Sequence, residues 1–131
     1  MNYIRNNNKP AEKNYGYLFL LTGIFCVVSS LFAWGSGWLF SIDSLDLFLL
    51  PMSDLVVTAP LSLITSSGIL NGRRWGIKVG LITAGVYIFG SIQVFITLYW
   101  QSTPYSYLWI LPASFGLVFA ISFISYTLFK K

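Results

Sequence analysis

The sequence predicts an all-α, polytopic membrane protein: a four-transmembrane-helix bundle with an amphipathic outer segment between helices 1 and 2. Three observations predict it. Of 131 residues, 56% are hydrophobic and 9% charged, against roughly half and a quarter in ordinary soluble domains. The apolar residues gather into four runs of spanning length, about 15–34, 51–70, 77–100 and 107–129, with short polar breaks between them. Every Lys and Arg falls in the N-terminal tail, the 71–78 turn or the C-terminus, whereas the opposite side holds Asp43, Asp46 and Asp54 and no cation. Under the positive-inside rule both termini are then cytoplasmic.

Composition also limits function. The formal charge of +4 is spread over membrane boundaries and forms no separate basic surface, so topology explains it and nucleic acid is not an expected partner. A lone cysteine, Cys26, excludes an intramolecular disulfide and any Cys-x-x-Cys site. With no histidine, the usual haem, zinc and di-metal ligand sets are missing, and neither a metal nor a cofactor is expected. The aromatic share of 18% and the mean hydropathy of +0.71 suit a chain whose solvent is lipid, and the size and style suggest a bacterial plasma membrane.

Residues 1–14 read as a polar cytoplasmic tail without stable order, and 15–131 as one transmembrane domain. The first apolar run is about 20 residues, beyond the roughly 7–15 of a secretory h-region, and no small-x-small cleavage site follows it, so it reads as a retained helix. The break at 35–53 is not a plain loop. Asp43 and Asp46 share one side at helical spacing while Ile42, Leu45 and Leu49 share another, which suits a short amphipathic helix in the outer interface.

Helix 2 needs Pro51 in its first turn to reach about 30 Å, the thickness of the hydrocarbon layer. Within it, Pro60 cannot donate to the carbonyl of Val56, so a kink or loosened turn is expected there. Asp54, Thr58, Ser62, Thr65 and Ser66 follow at steps of three or four along one face. Lipid offers hydroxyls no partner, so this stripe should face another helix, a cavity or water.

Asn71-Gly72 suits a turn, and Arg73, Arg74 and Lys78 beside it mark the cytoplasmic face, where they serve topology or hold lipid head groups. Helix 3 carries Gly76, Gly80 and Ala84, a small-xxx-small ladder for close helix packing. A broad second face holds Thr83, Tyr87, Gly90, Gln93 and Thr97, with Gln93 expected to bond across helices to the Thr58/Ser62 face. Helix 4 has Pro112 in its first turns and scattered serines.

Asp54 is the sharpest candidate for chemistry. A carboxylate beside a low-dielectric interior can carry a proton or pair with a cationic ligand; equally, an acid in a helix's first turn, with Ser53 as N-cap, is a structural device. Asp54, Thr58, Ser62 and Gln93 therefore form the candidate ligand or proton route. Enzyme chemistry has little to work with, since there is no histidine, no paired carboxylate within a span, no Ser-x-x-Lys and no P-loop. In size and span number the chain is similar to the small multidrug resistance transporters, but the acid those carry in their first helix has no counterpart in 15–34, so no site residue transfers.

The favoured expectation is a small non-enzymatic membrane protein acting as an accessory or interaction subunit, embedded in the lipid bilayer as a homo-oligomer or with a partner membrane protein. The alternatives are an oligomeric small-solute or ion transporter using Asp54, and a lipid-binding or lipid-modifying protein.

Overall fold

A computed structural model describes residues 10–35, 52–100 and 106–130, with the side chains of 106–109 left aside. They form four helices: α1 (Pro10–Gly35), α2 with a π-helical opening (Asp54–Thr58) and an α-helical body (Ala59–Leu70), α3 (Arg74–Trp100) and α4 (Ser106–Phe129). There is no strand among the described residues. Pro10–Gly35, Arg74–Trp100 and Ile110–Phe129 are long and apolar enough to cross a membrane, and α2 is equally apolar but shorter. The expected amphipathic outer segment lies mostly in 36–51, outside the described residues, as does Pro51.

Two helices begin earlier than the hydropathy pattern predicts. The first starts at Pro10, so 10–14 is helix and not an unordered tail. The hydropathy window misses this turn because it is polar, but the turn has its own supports. Proline at a helix start gives up an N–H that would lack a partner anyway. Glu12 complements the positive end of the helix dipole and pairs with Lys130 at the end of α4. The third helix starts at Arg74, three residues before the expected position, which places Gly76 inside its first turns.

Pro60 shapes the start of α2. Proline has no N–H to return to residue 56, and its ring crowds that carbonyl. The backbone answers by widening the turn ahead of it: the N–H of Ala59 bonds the carbonyl of Asp54, five residues back. The loosened turn thus takes the form of a π-helical stretch just before the proline.

At the other end of α2 the chain reverses within three residues. Asn71 N–H donates to the Ser67 carbonyl (3.1 Å), Gly72 to Ile69 (3.0 Å) and Arg73 to Gly68 (2.8 Å), so carbonyls at the end of the helix find partners. Gly72 has φ 68°, the left-handed conformation that only a residue lacking Cβ adopts freely.

This tight turn sets the register of the bundle. Gly68 and Gly76 meet so closely that a methyl group on Gly76 would lie 2.4 Å from the Gly68 carbonyl carbon and 2.5 Å from the Ile69 nitrogen. Further along the same seam Thr65 meets Thr83 and Ser62 meets Tyr87. The α1 glycines face α2 in antiparallel order, Gly16 beside Ile69 and Leu70, Gly23 beside Ser62 and Leu63. Between α3 and α4, Gly80 abuts Phe123 while also touching Thr65, and Ser91 reaches Gly116. The topology is up-down-up-down, so both described chain ends lie at the same end of the bundle as the 71–73 turn.

The core is built from Phe19, Ile69, Ala84, Tyr87, Phe119, Ala120 and Phe123. Rings, not close backbones, close the seam between α1 and α4. Phe19 meets Phe119 edge-on at 4.8 Å and Phe123 at 5.1 Å, and Tyr15 meets Phe123 at 5.3 Å. Tyr15 also hydrogen-bonds Ser122 (2.7 Å), locking the same seam near the Glu12–Lys130 pair.

Because the Gly76 contact is backbone against backbone, no rotamer change can relieve an added methyl. Gly76→Ala is expected to lower stability by about 1–3 kcal/mol, whereas Gly85→Ala, with nothing within 4 Å of the new methyl, should keep or raise it. Reversible unfolding of both variants in bicelles checks the contrast.

Candidate functional site

The hydroxyl stripe of α2 turns into the bundle. Ser62, Thr65 and Ser66 are at most 1% exposed, and Thr83 and Tyr87 of α3 are buried opposite them. Helix periodicity dictates this: the five stripe residues lie on one face, and that face meets the seam fixed by Gly68 and Gly76.

Four of these hydroxyls have a definite proton. Ser62 Oγ donates to the Thr58 carbonyl one turn back (2.6 Å). Its single proton is thereby committed, so the Tyr87 phenol is the donor in the 2.5 Å contact between them. In the same way Thr83 Oγ1 donates to the Val79 carbonyl (2.9 Å), which makes Thr65 the donor across the seam at 2.8 Å. Two rungs therefore join α2 to α3, each ending on a backbone carbonyl. On α1, Thr22 donates to the Leu18 carbonyl (2.8 Å) and lies beside the Tyr87 phenol. Among the described residues no buried side-chain nitrogen or oxygen lacks a partner.

Asp54 stands at the upper end of this stripe, half-buried, hydrogen-bonded to the Thr58 hydroxyl. Ser53 does not cap it: Ser53 has helical dihedrals (φ −65°, ψ −36°) and makes no capping bond with its side chain. The helix continues through 52–53, so Asp54 sits two residues further into the helix than a cap at Ser53 would leave it. Cys26, a buried free thiol on α1, and Tyr87 on α3 are near enough to interact electrostatically with its carboxylate. Asp54, Thr58, Ser62, Tyr87, Thr22 and Cys26 thus converge from three helices.

Gln93 does not join them. It is exposed on α3, and the Ser62 partner expected for it is Tyr87 instead. Six residues separate Tyr87 from Gln93, which turns the helix about 120° away from the seam. Gly76, Gly80 and Ala84 are buried along the packed face of α3, with Gly80 fitted against Phe123 and Thr65. Arg73, Arg74 and Lys78 are exposed around the turn.

The Glu12–Lys130 pair and the Tyr15–Ser122 bond lie outside the sequence-predicted site. Charge alone could have suggested the pair, because Glu12 is the one acid at an end otherwise populated by cations. A groove of about 440 Å³ runs beside these contacts between α1 and α4, lined by residues that include Leu18, Phe115, Val118 and Phe119. Among the described residues no group of three His, Cys, Asp or Glu side chains is placed to hold a metal ion.

Chemically, the interior is an adhesive. The donors of Thr22, Ser62, Thr65, Thr83 and Tyr87 are spent on other hydroxyls and on carbonyls, which binds α1, α2 and α3 together, and among the described residues Asp54 is the ionisable carboxylate beside the cluster. No protein-family model, curated protein or solved structure matches this chain.

A double-mutant cycle on Thr65→Val and Thr83→Val should return a coupling of about 0.6–2 kcal/mol, the range for interhelical bonds in membrane bundles. Thr65→Val paired with Ser125→Ala on α4 should couple by less than about 0.5 kcal/mol. Unfolding in bicelles reads both.

Proposed function

We propose that this chain is an integral membrane protein that acts as a non-enzymatic accessory or interaction subunit, its four helices spanning the bilayer with both termini in the cytoplasm. The apolar exterior supports the location. Leu21, Phe32, Phe89, Leu111 and Val118 are among many large apolar side chains that stand mostly exposed, on α1, α3 and α4 alike. Soluble monomers rarely expose contiguous apolar patches beyond a few hundred Å². Lipid tails are the solvent such a surface fits. The short α2, about 26 Å at 1.5 Å per residue, is accommodated by local thinning of the bilayer and by its helical extension through 52–53.

One observation carries the functional reading: Ser62 and Tyr87, and Thr65 and Thr83, are bonded in pairs and back onto carbonyls, so this part of the core is used for cohesion. Recognition then falls to the outer faces. A carrier is the second reading, favoured by the Asp54 carboxylate with Thr58, Cys26 and Tyr87 about it. A proton or cation would use that acid as its binding site.

Gentle extraction from the source membrane, followed by native mass spectrometry, is expected to recover a stoichiometric complex that survives Asp54→Asn unchanged. Flux through proteoliposomes of the purified chain that is lost in Asp54→Asn, with the variant still inserted and folded, would instead establish the carrier.

A further inference from the structure

The upper half of α3 presents a face that the chain's own described helices leave uncovered and that is wrong for lipid. Gln93 is exposed and has no hydrogen-bond partner among the described residues. It lies about 10 Å below Trp100 along the helix axis, between the apolar side chains of Ile92 and Ile96, 48% and 54% exposed. An amide at that depth meets hydrocarbon, which offers neither a donor nor an acceptor.

The residues around it form a seam. Val86, Gly90, Gln93, Thr97 and Trp100 alternate at steps of four and three, the spacing that keeps one face of a helix against a parallel partner. Lower down, the same register reaches Thr83, which is fully buried against α2. Above Val86 the seam leaves the bundle. At Gly90, one turn below the amide, an added methyl would meet nothing within 4 Å, so a neighbouring backbone has room to come close.

We propose that this face binds a second copy of the chain, α3 against α3, with the two Gln93 amides hydrogen-bonded to each other. The chemistry of the amide selects that partner. Two copies inserted with the same orientation are related by a two-fold axis along the membrane normal, so each residue meets its own counterpart at the same depth. An amide carries both a donor and an acceptor, and two of them satisfy one another reciprocally across such an axis. A carboxylate, a cation or an apolar side chain in the same place would not be self-complementary. Thr97 lies one turn above and Gly90 one turn below, which leaves the amide pair flanked by a small polar residue and a gap.

This inference rests on the interaction reading above and names its partner. The test uses the full chain in vesicles of phosphatidylethanolamine and phosphatidylglycerol, with self-association read by energy transfer between labelled copies over a range of protein densities. The unmodified chain is expected to dimerise, Gln93→Leu to weaken association about tenfold, and Gln93→Asn to retain part of it. Because Gln93 is on the surface, both variants should keep the helical circular dichroism of the parent. Thr97→Cys should form an oxidised dimer while Val118→Cys on α4 does not; Cys26 is in the core and does not compete. A chain that stays monomeric at every density, or a dimer indifferent to Gln93→Leu, overturns the proposal. A monomer in vesicles together with a different stoichiometric protein in the native extract would overturn the second copy and leave the interaction reading standing. A Gln93-dependent dimer whose flux is lost in Asp54→Asn would support the dimer and overturn that reading.

Discussion

The contact on which the rest of the bundle depends is the meeting of Gly68 and Gly76 across the 70–74 turn. Two backbones can approach this closely only where neither residue has a side chain, and the approach is available only because Gly72 reverses the chain in a left-handed conformation. Once α2 and α3 are pinned there, the helical repeat settles what meets above: Thr65, one turn from Gly68, meets Thr83, two turns from Gly76, and Ser62 and Tyr87 meet one turn further. Each pair is weak alone, because separated helices also find hydrogen-bond partners. Their joint effect is to forbid rotation of α2 about its axis, since any rotation strands several hydroxyls in an apolar medium.

The other two seams use different means. The α1 glycines admit α2 side chains, Leu63 and Leu70, in place of a neighbouring backbone. Between α1 and α4 the backbones stand further apart, and aromatic rings from Tyr15 to Tyr126 fill the space. Edge-to-face geometry suits that job because large flat groups cover area without close helix approach. This seam is fastened at the end where the chain begins and finishes. Glu12 is buried and paired with Lys130, whose ammonium also sits 5.9 Å from the Tyr126 ring. A buried carboxylate needs that partner, so the ion pair ties the two chain ends more firmly than an exposed pair would.

Much of this architecture was legible in the sequence, and the failures have physical reasons. Runs of apolar residues located four helices, three of them long enough to cross a membrane and α2 shorter than expected, and a period of 3.6 placed Ser62, Thr65 and Ser66 on one inward face. Hydropathy did not find 10–14 because Glu12, Lys13 and Asn14 make the first turn of α1 polar. Gln93 was expected inside on the ground that polar groups avoid lipid. That rule gives a need for a partner but not its direction, and the angle from Tyr87 turns Gln93 away from the seam between α2 and α3. Tyr87 fills the role because a phenol is long enough to cross the seam while its ring packs against Phe19 at 5.9 Å. Polarity alone ranks it below an amide.

The start of α2 brings structure and function into one place. The π-helical turn follows from Pro60, so its presence has a structural cause and needs no functional one. Yet widening a turn also changes the angle at which the residues before it project, and Asp54 is the first residue of that stretch. With the turn in place, the carboxylate is held by Thr58 and lies near Cys26 and Tyr87, groups from the two neighbouring helices. A helix without Pro60 would aim Asp54 elsewhere and leave Thr58 to bond its own backbone, as Ser62 and Thr83 do. Pro60 is therefore the residue that connects the cohesive part of the interior to the Asp54 carboxylate.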